Sequence, residues 1–138
     1  MSMRYLIDSD VMIDLIEGRV NAVDFLDDDL FEGTLAISAV TYAELYTGVS
    51  RSNYPSRAQA RIEHFVVNSG SDIVPLSAEA ARLAGHINGS LIKMGSTTGL
   101  LDVMNAAIAI VHDCTLVTRN VRHYERVPNL KFVSPTET

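Results

Sequence analysis

The sequence alternates short, apolar, β-branched runs with longer segments of helical periodicity. The short runs are too brief for helices and predict five strands: RYLI at 4–7, TLAI at 34–37, DIVP at 72–75, TLVT at 115–118 and KFV at 131–133. The longer segments predict helices at 10–17, 22–29, 38–49, 56–67, 77–94 and 99–112. Strands separated by helices form parallel or mostly parallel sheets with helices on both faces. We therefore expect a three-layer α/β/α fold whose short, mostly parallel sheet has about five strands.

Length and composition indicate one domain that spans residues 1–138. Of its 138 residues 47% are apolar, which is ample for one core. Cys114 is the only cysteine, so no intramolecular disulfide forms. No stretch has both the length of a membrane span and the flanks of a signal peptide, and we predict a cytoplasmic protein without membrane association. The net charge of −6 argues against a broadly basic surface but permits a local basic strip.

Four polar residues follow predicted strands or lie on the helices facing them. Asp8 ends the first strand, and Glu44 lies two turns into the helix after the second. Asp102 lies near the start of the helix before the fourth strand, and Asn120 follows that strand. Ligands of parallel α/β sheets collect outside the carboxyl ends of the strands. We therefore expect these four side chains to converge.

Three converging carboxylates repel one another unless a cation lies among them, and hard oxygen ligands select a hard divalent ion such as Mg²⁺ or Mn²⁺. Such an ion can orient and deprotonate a water for phosphodiester hydrolysis without a protein nucleophile. Other catalytic motifs are missing from the sequence, which has no phosphate-binding Gly-Lys-Ser/Thr loop, Gly-x-Ser-x-Gly elbow, His-Glu-x-x-His pair or paired cysteines.

Each candidate also has a purely structural interpretation. Asp8 or Ser9 can cap the helix that begins near residue 10. Glu44 can lie on the solvent stripe of an amphipathic helix. Asp102 stands in a first helical turn, where the helix dipole favours an acid, and Asn120 can belong to an ordinary turn. The residues alone leave both interpretations open.

Three segments together resemble one family, the PIN domain, and within it the VapC-type toxins of bacterial and archaeal toxin–antitoxin pairs. They are YLIDSDVMIDLIEG at 5–18, ISAVTYAELYTGV at 37–49 and DVMNAAIAIVHDCTLVTRNVRHYERVPNLKF at 102–132. The resemblance extends nearly from end to end. It implies a Mg²⁺- or Mn²⁺-dependent endoribonuclease, and it implies a homodimer and a cognate VapB-type antitoxin as partner.

By this resemblance Asp8, Glu44 and Asp102 match the three metal-site acids of the family. Asn120 stands where many members carry a fourth acid, and Glu125 is an alternative source of that group.

The sequence departs from the family pattern at three places. Asp10 stands where the family usually has Asn, and it would strengthen the metal site. Asn120 is an amide rather than an acid, and the GLLD segment at 99–102 lacks the acid often found two residues before the third ligand. The last two departures leave binding of a second ion open.

Other residues around the predicted site have supporting roles in this interpretation. Ser9, Asp10 and Thr118 would orient the ligands. Three arginines surround the fourth site position, and His123 and Tyr124 are interleaved with them. Arg119, Arg122 and Arg126 would bind phosphates of looped or single-stranded RNA such as tRNA or rRNA, or they would form a solvated surface turn whose basic charges offset an acidic protein. An apolar groove for the antitoxin would include residues that can equally belong to the core: Leu15, Ile16, Val40, Tyr42, Leu45 and Tyr46.

Two other functions remain open from the sequence. A haloacid-dehalogenase-type phosphatase would use Asp8 as nucleophile and Asp10 as acid, but neither lysine of the chain, Lys93 or Lys131, has the required context. A PIN-like module without catalytic activity would only bind RNA or a partner. The amide at Asn120 permits that function, whereas the three carboxylates oppose it.

Overall fold

The computed structural model describes residues 3–19, 24, 33–96 and 98–135. Within these ranges the strands are β1 (Arg4–Ile7), β2 (Thr34–Ser38), β3 (Asp72–Val74), β4 (Thr115–Val117) and β5 (Phe132–Val133). The helices are α1 (Ser9–Ile16), α2 (Ala39–Arg51), α3 (Pro55–Ser69), α4 (Ala78–Lys93), α5 (Leu100–Val111) and α6 (Val121–Tyr124). The prediction for 22–29 falls, apart from residue 24, outside the described residues. Helix α6 was not predicted.

The five strands form one sheet in the order β3-β2-β1-β4-β5, and all four pairings are parallel. This confirms the predicted sheet. The chain first builds outward from β1 through β2 to β3 and then returns to the other side of β1 with β4. Such a reversal of strand order opens a crevice at the carboxyl ends of the central strands, where α/β proteins bind ligands. Asp8 lies at this reversal, where its backbone N–H donates to Val117 O at 2.9 Å.

The sheet has a buried core on each face because successive strand residues point to opposite sides. Leu6 of β1 packs with residues of α4 and α5, whereas its neighbours Tyr5 and Ile7 pack with residues of α1, α2 and α3. Leu6 and Ile7 are at most 1% exposed, and burial of each such side chain contributes about 1.5–3 kcal/mol. The two cores confirm the predicted three-layer arrangement.

Two strands at the centre of the sheet lead into helices without an intervening loop. Asp8 is the single residue between β1 and α1, and it caps that helix. Ser38 ends β2 and caps α2, because its hydroxyl accepts a hydrogen bond from Thr41 N at 2.9 Å. These junctions fix the directions in which α1 and α2 leave the carboxyl edge of the sheet.

No helix in the described ranges combines the length and the apolar character needed to cross a bilayer.

Candidate functional site

Asp8 lies at the bottom of the crevice with only 3% of its surface exposed, and four donors surround its carboxylate. Its Oδ1 accepts hydrogen bonds from Ser9 N at 2.9 Å and Asn105 Nδ2 at 3.1 Å. Its Oδ2 accepts from Thr118 Oγ1 at 2.8 Å and from the Tyr124 hydroxyl at 3.2 Å. A carboxylate offers about four lone-pair positions, so these donors hold Asp8 in a single orientation.

Asp102, in the first turn of α5, shares one of these donors with Asp8. Its Oδ1 accepts from the Tyr124 hydroxyl at 3.2 Å, and its Oδ2 lies 2.8 Å from His123 Nδ1. Tyr124 itself is completely buried. Its hydroxyl therefore lies between two carboxylates that are far apart in the sequence, and the structure brings Asp8 and Asp102 together as expected for a shared site.

Asn105 links the three segments that carry the candidate acids. It lies one turn after Asp102 on α5, is 2% exposed, and donates through Nδ2 to Asp8. Its Oδ1 accepts a hydrogen bond from the hydroxyl of Ser38, the cap of α2, and α2 carries Glu44. One buried amide thus connects α5 with the β1–α1 and β2–α2 junctions.

Glu44 lies on an exposed part of α2 and, within the described ranges, makes no side-chain hydrogen bond or ion pair. Partial burial raises its pKa from the ordinary value, and the charges of Asp8, Asp102 and Asp10 raise it further. Burial likewise raises the pKa of Asp8, with a smaller contribution from Asp102, although its hydrogen bonds act in the opposite direction. These mutual effects indicate that the four acids lie within electrostatic reach of one another.

Asp10, on the first turn of α1, faces the β4–α6 segment. Its Oδ1 accepts from Val11 N at 2.7 Å, and its Oδ2 accepts from Arg119 N at 3.1 Å. Its pKa is raised, first by burial and then by the charge of Asp8. Ser9 contacts Asp8 through its backbone N–H, whereas Thr118 does so through its hydroxyl.

Asn120 lies at the same edge of the sheet but is exposed, and its backbone N donates to Thr118 Oγ1 at 3.0 Å. Glu125 follows α6 and is also exposed. Among the described residues, the side chains of Asn120 and Glu125 form no hydrogen bond or ion pair with Asp8 or with Asp102. The structure therefore does not join either residue to Asp8 or Asp102.

The predicted RNA-binding arginines divide into two kinds. Arg119 points toward α1, where its Nε donates to Asp14 Oδ2 at 2.8 Å, and Asp14 also contacts Arg19 at 2.9 Å. Arg122 and Arg126 are exposed and form no ion pair with another described residue. Arg119 thus has a structural partner, whereas the other two arginines present their charges to solvent.

The structural roles of Asn105 and Asp14 were not predicted, and Tyr124 was grouped with residues available to RNA. That interpretation of Tyr124 was wrong, because the side chain is completely buried beneath the acids. The signal for Asn105 and Asp14 was a single polar residue inside an apolar helical segment, VMNAAIAIV and VMIDLI respectively. Buried polar groups of this kind need partners, but a sequence does not name them.

The donor chemistry of the crevice suits a hard divalent cation, because Asp8, Glu44 and Asp102 supply carboxylate oxygens and their mutual repulsion would be relieved by positive charge. As the side chains are placed, no set of three acidic, histidine or cysteine side chains in the described ranges forms a ready cluster of metal ligands. Glu44 is exposed on α2, and within the described ranges its side chain makes no hydrogen bond or ion pair that would oppose a turn toward Asp8 and Asp102.

Comparison with known proteins identifies the family. The PIN domain family model matches residues 5–130. The chain is 33% identical to the tRNA(fMet)-specific endonuclease VapC of Shigella flexneri, over 94% of this chain and 96% of that protein. It is 32% identical to ribonuclease VapC2 of Haemophilus influenzae, with the same two coverages.

Solved structures give the same assignment. The structure of VapBC2 from Rickettsia felis, bound to a DNA fragment from its promoter, matches with a TM-score of 0.86 and 28% identity over 96% of this chain and 98% of that one. VapBC-1 from nontypeable Haemophilus influenzae matches with a TM-score of 0.84 and 25% identity over 98% and 100% of the two chains. The chain therefore belongs to the PIN-domain family, among its VapC-type ribonucleases.

Proposed function

We propose that this protein is a divalent-metal-dependent endoribonuclease and the toxin of a cytoplasmic toxin–antitoxin pair. The observation that carries the proposal is the convergence of Asp8 and Asp102, with Glu44 in electrostatic reach, where the strand order reverses. Hydrolysis at such a site needs no protein nucleophile. In this proposal Asp8, Glu44 and Asp102 hold Mg²⁺ or Mn²⁺, and Asn120 completes the pocket as a polar group.

The remaining residues of the site have positioning roles. A bound ion would supply the charge that activates water and stabilises the phosphate undergoing cleavage. Thr118 and Asn105 keep the Asp8 carboxylate in a fixed orientation by donating to its two oxygens. Ser9 contributes a backbone donor to Asp8, and Asp10 adds negative charge close to it. Glu125 remains the alternative to Asn120.

RNA would approach along the exposed arginines. Arg122 and Arg126 are exposed on the segment that follows Thr118 and present charges that can bind phosphates, and Arg119 contributes to the same segment from its position against Asp14. A structured RNA with an accessible loop is the proposed substrate. Because the Shigella flexneri relative is named for tRNA(fMet), tRNA is the first class to test, followed by rRNA.

The similar solved structures are VapBC complexes, and we include a cognate VapB-type antitoxin in the proposal. A groove of about 680 Å³ between α1 and α3 includes Leu15, Ile16 and Phe65. An adjoining cavity of about 260 Å³ also contains Ile16 and extends to Leu45 and Glu44. An apolar antitoxin segment in this groove would therefore reach the acidic crevice.

The other residues expected in the groove lie elsewhere. Val40 borders a separate cavity beside Leu76, and the hydroxyls of Tyr42 and Tyr46 both donate to Glu63 of α3. A homodimer also belongs to the proposal.

Family membership replaces the phosphatase interpretation, and the local contacts agree with this. Asp8 is surrounded by four donors rather than free to act as a nucleophile. Lys131, one of the two lysines, binds the exposed Asp113 at 2.8 Å. The module without catalytic activity is the remaining alternative, and a cleavage assay separates it from the nuclease.

The direct test incubates antitoxin-free protein with total cellular RNA and sequences the new RNA ends. We expect discrete cuts with Mg²⁺ or Mn²⁺ and none with a chelator, because the acids alone carry no positive charge to stabilise the reacting phosphate. Restoration of cutting when metal is added back shows that the chelated protein remained competent. Folded protein that leaves a broad RNA panel intact with either metal would favour the binding module.

Metal binding should stabilise the protein more at high pH than at low pH. Burial raises the pKa values of Asp8, Asp10 and Glu44 above those of the unfolded chain, so the folded state retains protons that the unfolded state has released. The free energy of unfolding therefore falls as pH rises through the folded-state pKa values, and a cation offsets that loss. We expect Mn²⁺ to raise Tm more at about pH 8 than at about pH 5, where protons compete for the ligands. Equal shifts in Tm at both pH values would contradict this coupling.

A further inference from the structure

The hydroxyl of Tyr124 is equally distant from the carboxylates of Asp8 and Asp102. It lies 3.2 Å from Asp8 Oδ2 and 3.2 Å from Asp102 Oδ1, and the ring is completely buried. A hydroxyl has one proton to donate, so the two carboxylates share it. Both distances exceed the 2.8 Å between Thr118 Oγ1 and the same oxygen of Asp8. The tyrosine contact is thus the weaker of the two that Oδ2 receives.

The two carboxylate oxygens in contact with Tyr124, Asp8 Oδ2 and Asp102 Oδ1, belong to the two acids that the structure brings together. Asp8 has about four lone-pair positions and receives four donors, so a further ligand must displace one of them. Ser9 donates from the backbone, and Asn105 and Thr118 donate from the segments that build the site. Tyr124 makes the longest contact and shares a single proton, so its contact is the one most readily displaced.

We propose that the Tyr124 hydroxyl and a divalent cation compete for the two oxygens that this hydroxyl contacts, Asp8 Oδ2 and Asp102 Oδ1. The hydroxyl lessens the repulsion between the two carboxylates and holds them together, which stabilises the protein without bound metal. A cation at these oxygens removes both acceptors from a buried hydroxyl. Tyr124 therefore lowers metal affinity and sets the metal concentration at which the site fills. The inference rests on the proposed metal site and adds a residue that tunes its affinity.

If the Tyr124 hydroxyl competes with the cation, its removal should raise metal affinity, whereas removal of a group that orients a metal ligand should lower it. A group that orients a metal ligand strengthens metal binding, so its removal weakens affinity. Removal of a competing hydroxyl destabilises only the metal-free protein, and the affinity for metal must then increase by the same factor. A hydrogen bond to a charged group is strong enough for this factor to be about tenfold.

The test is titration of Mn²⁺ into wild-type and Tyr124→Phe proteins by calorimetry, without RNA and at one pH. Phe retains the buried ring and lacks only the hydroxyl. We expect Tyr124→Phe to bind Mn²⁺ about tenfold more tightly, to have a lower Tm without metal, and to gain a larger metal-induced increase in Tm. These readouts do not depend on RNA cleavage.

Two variants serve as controls. Tyr42→Phe removes a tyrosine hydroxyl that donates to Glu63, away from the crevice, and should leave Mn²⁺ affinity unchanged. Thr118→Val removes the shorter donor to Asp8 and should not tighten binding. Wild-type protein that binds Mn²⁺ and a Tyr124→Phe variant with equal or weaker affinity would overturn the competition alone. Failure of the wild type and all three variants to bind Mn²⁺ would overturn the metal site as well.

Discussion

The Asp8→Asn protein is expected to lose RNA cleavage by more than about 100-fold, because even the hydrogen-bond partners of metal ligands contribute 10–100-fold. The substitution removes a charged oxygen from the centre of the crevice. It also places an amide nitrogen against donors, since all four groups around Asp8 donate. The measurement is the rate of product formation per enzyme at saturating Mn²⁺, with circular dichroism to verify that the variant is folded.

Asp113→Asn is the matched control for this experiment. Asp113 is an exposed acid that binds Lys131, and its positive φ of 53° suits asparagine. The same loss of one negative charge at that position should leave cleavage within about twofold of wild type, as surface substitutions are nearly neutral. Asp102→Asn should reproduce the loss seen at Asp8, since both acids would hold the same metal ion. Cleavage by folded Asp8→Asn at a rate within tenfold of wild type would exclude Asp8 as a metal ligand.

The second large effect concerns stability. Arg119→Ala is expected to lower the free energy of unfolding by about 2–3 kcal/mol, because it removes a charged hydrogen bond to an almost buried carboxylate. The side chain of Asp14 is 8% exposed, and that of Arg119 is 29% exposed. Arg19, which also contacts Asp14, is 61% exposed and compensates only in part. The measurement is urea denaturation followed by circular dichroism.

Arg122→Ala provides the comparison, because Arg122 is exposed on the same segment and has no ion-pair partner among the described residues. Its free energy of unfolding should remain within about 0.5 kcal/mol of wild type. If the two variants were equally stable, the contact between Arg119 and Asp14 would have no net energetic value. RNA affinity measured on both proteins then separates the two roles, since Arg122→Ala should weaken binding without loss of stability.

The sequence was sufficient to predict the sheet and most helices because their signals are local. The β-branched runs at β1, β2 and β4 end where turn or cap residues begin, and the five predicted strands all occur in the observed sheet. Helix α6 escaped prediction because four residues are too few to display helical periodicity. The position of Asp8 directly after β1 placed it at the carboxyl edge once the strands were known to be parallel.

The hydrogen bonds within the site could not be predicted from the sequence, because they join segments that are far apart in the chain. Nothing near Tyr124 in the sequence indicates that its hydroxyl lies between Asp8 and Asp102. The polar side chain of Asn105 was visible within an apolar helix, but its partners Asp8 and Ser38 lie at the β1–α1 and β2–α2 junctions. Tertiary packing determines which polar groups come into contact, and the local spacing of residues in the sequence does not predict these contacts.

The loop-free passage from β1 to α1 restricts where this chain can lengthen. Each α-helical residue turns the chain by about 100°, so one residue inserted beside Asp8 would rotate either the carboxylate or the whole of α1 away from the crevice. The β2–α2 passage imposes the same restriction on Glu44. Insertions and deletions in the course of divergence should therefore be absent from these two junctions and tolerated at exposed turns such as the one around Asn129. The positions at which related chains keep a constant length would therefore identify the junctions that hold the site in place.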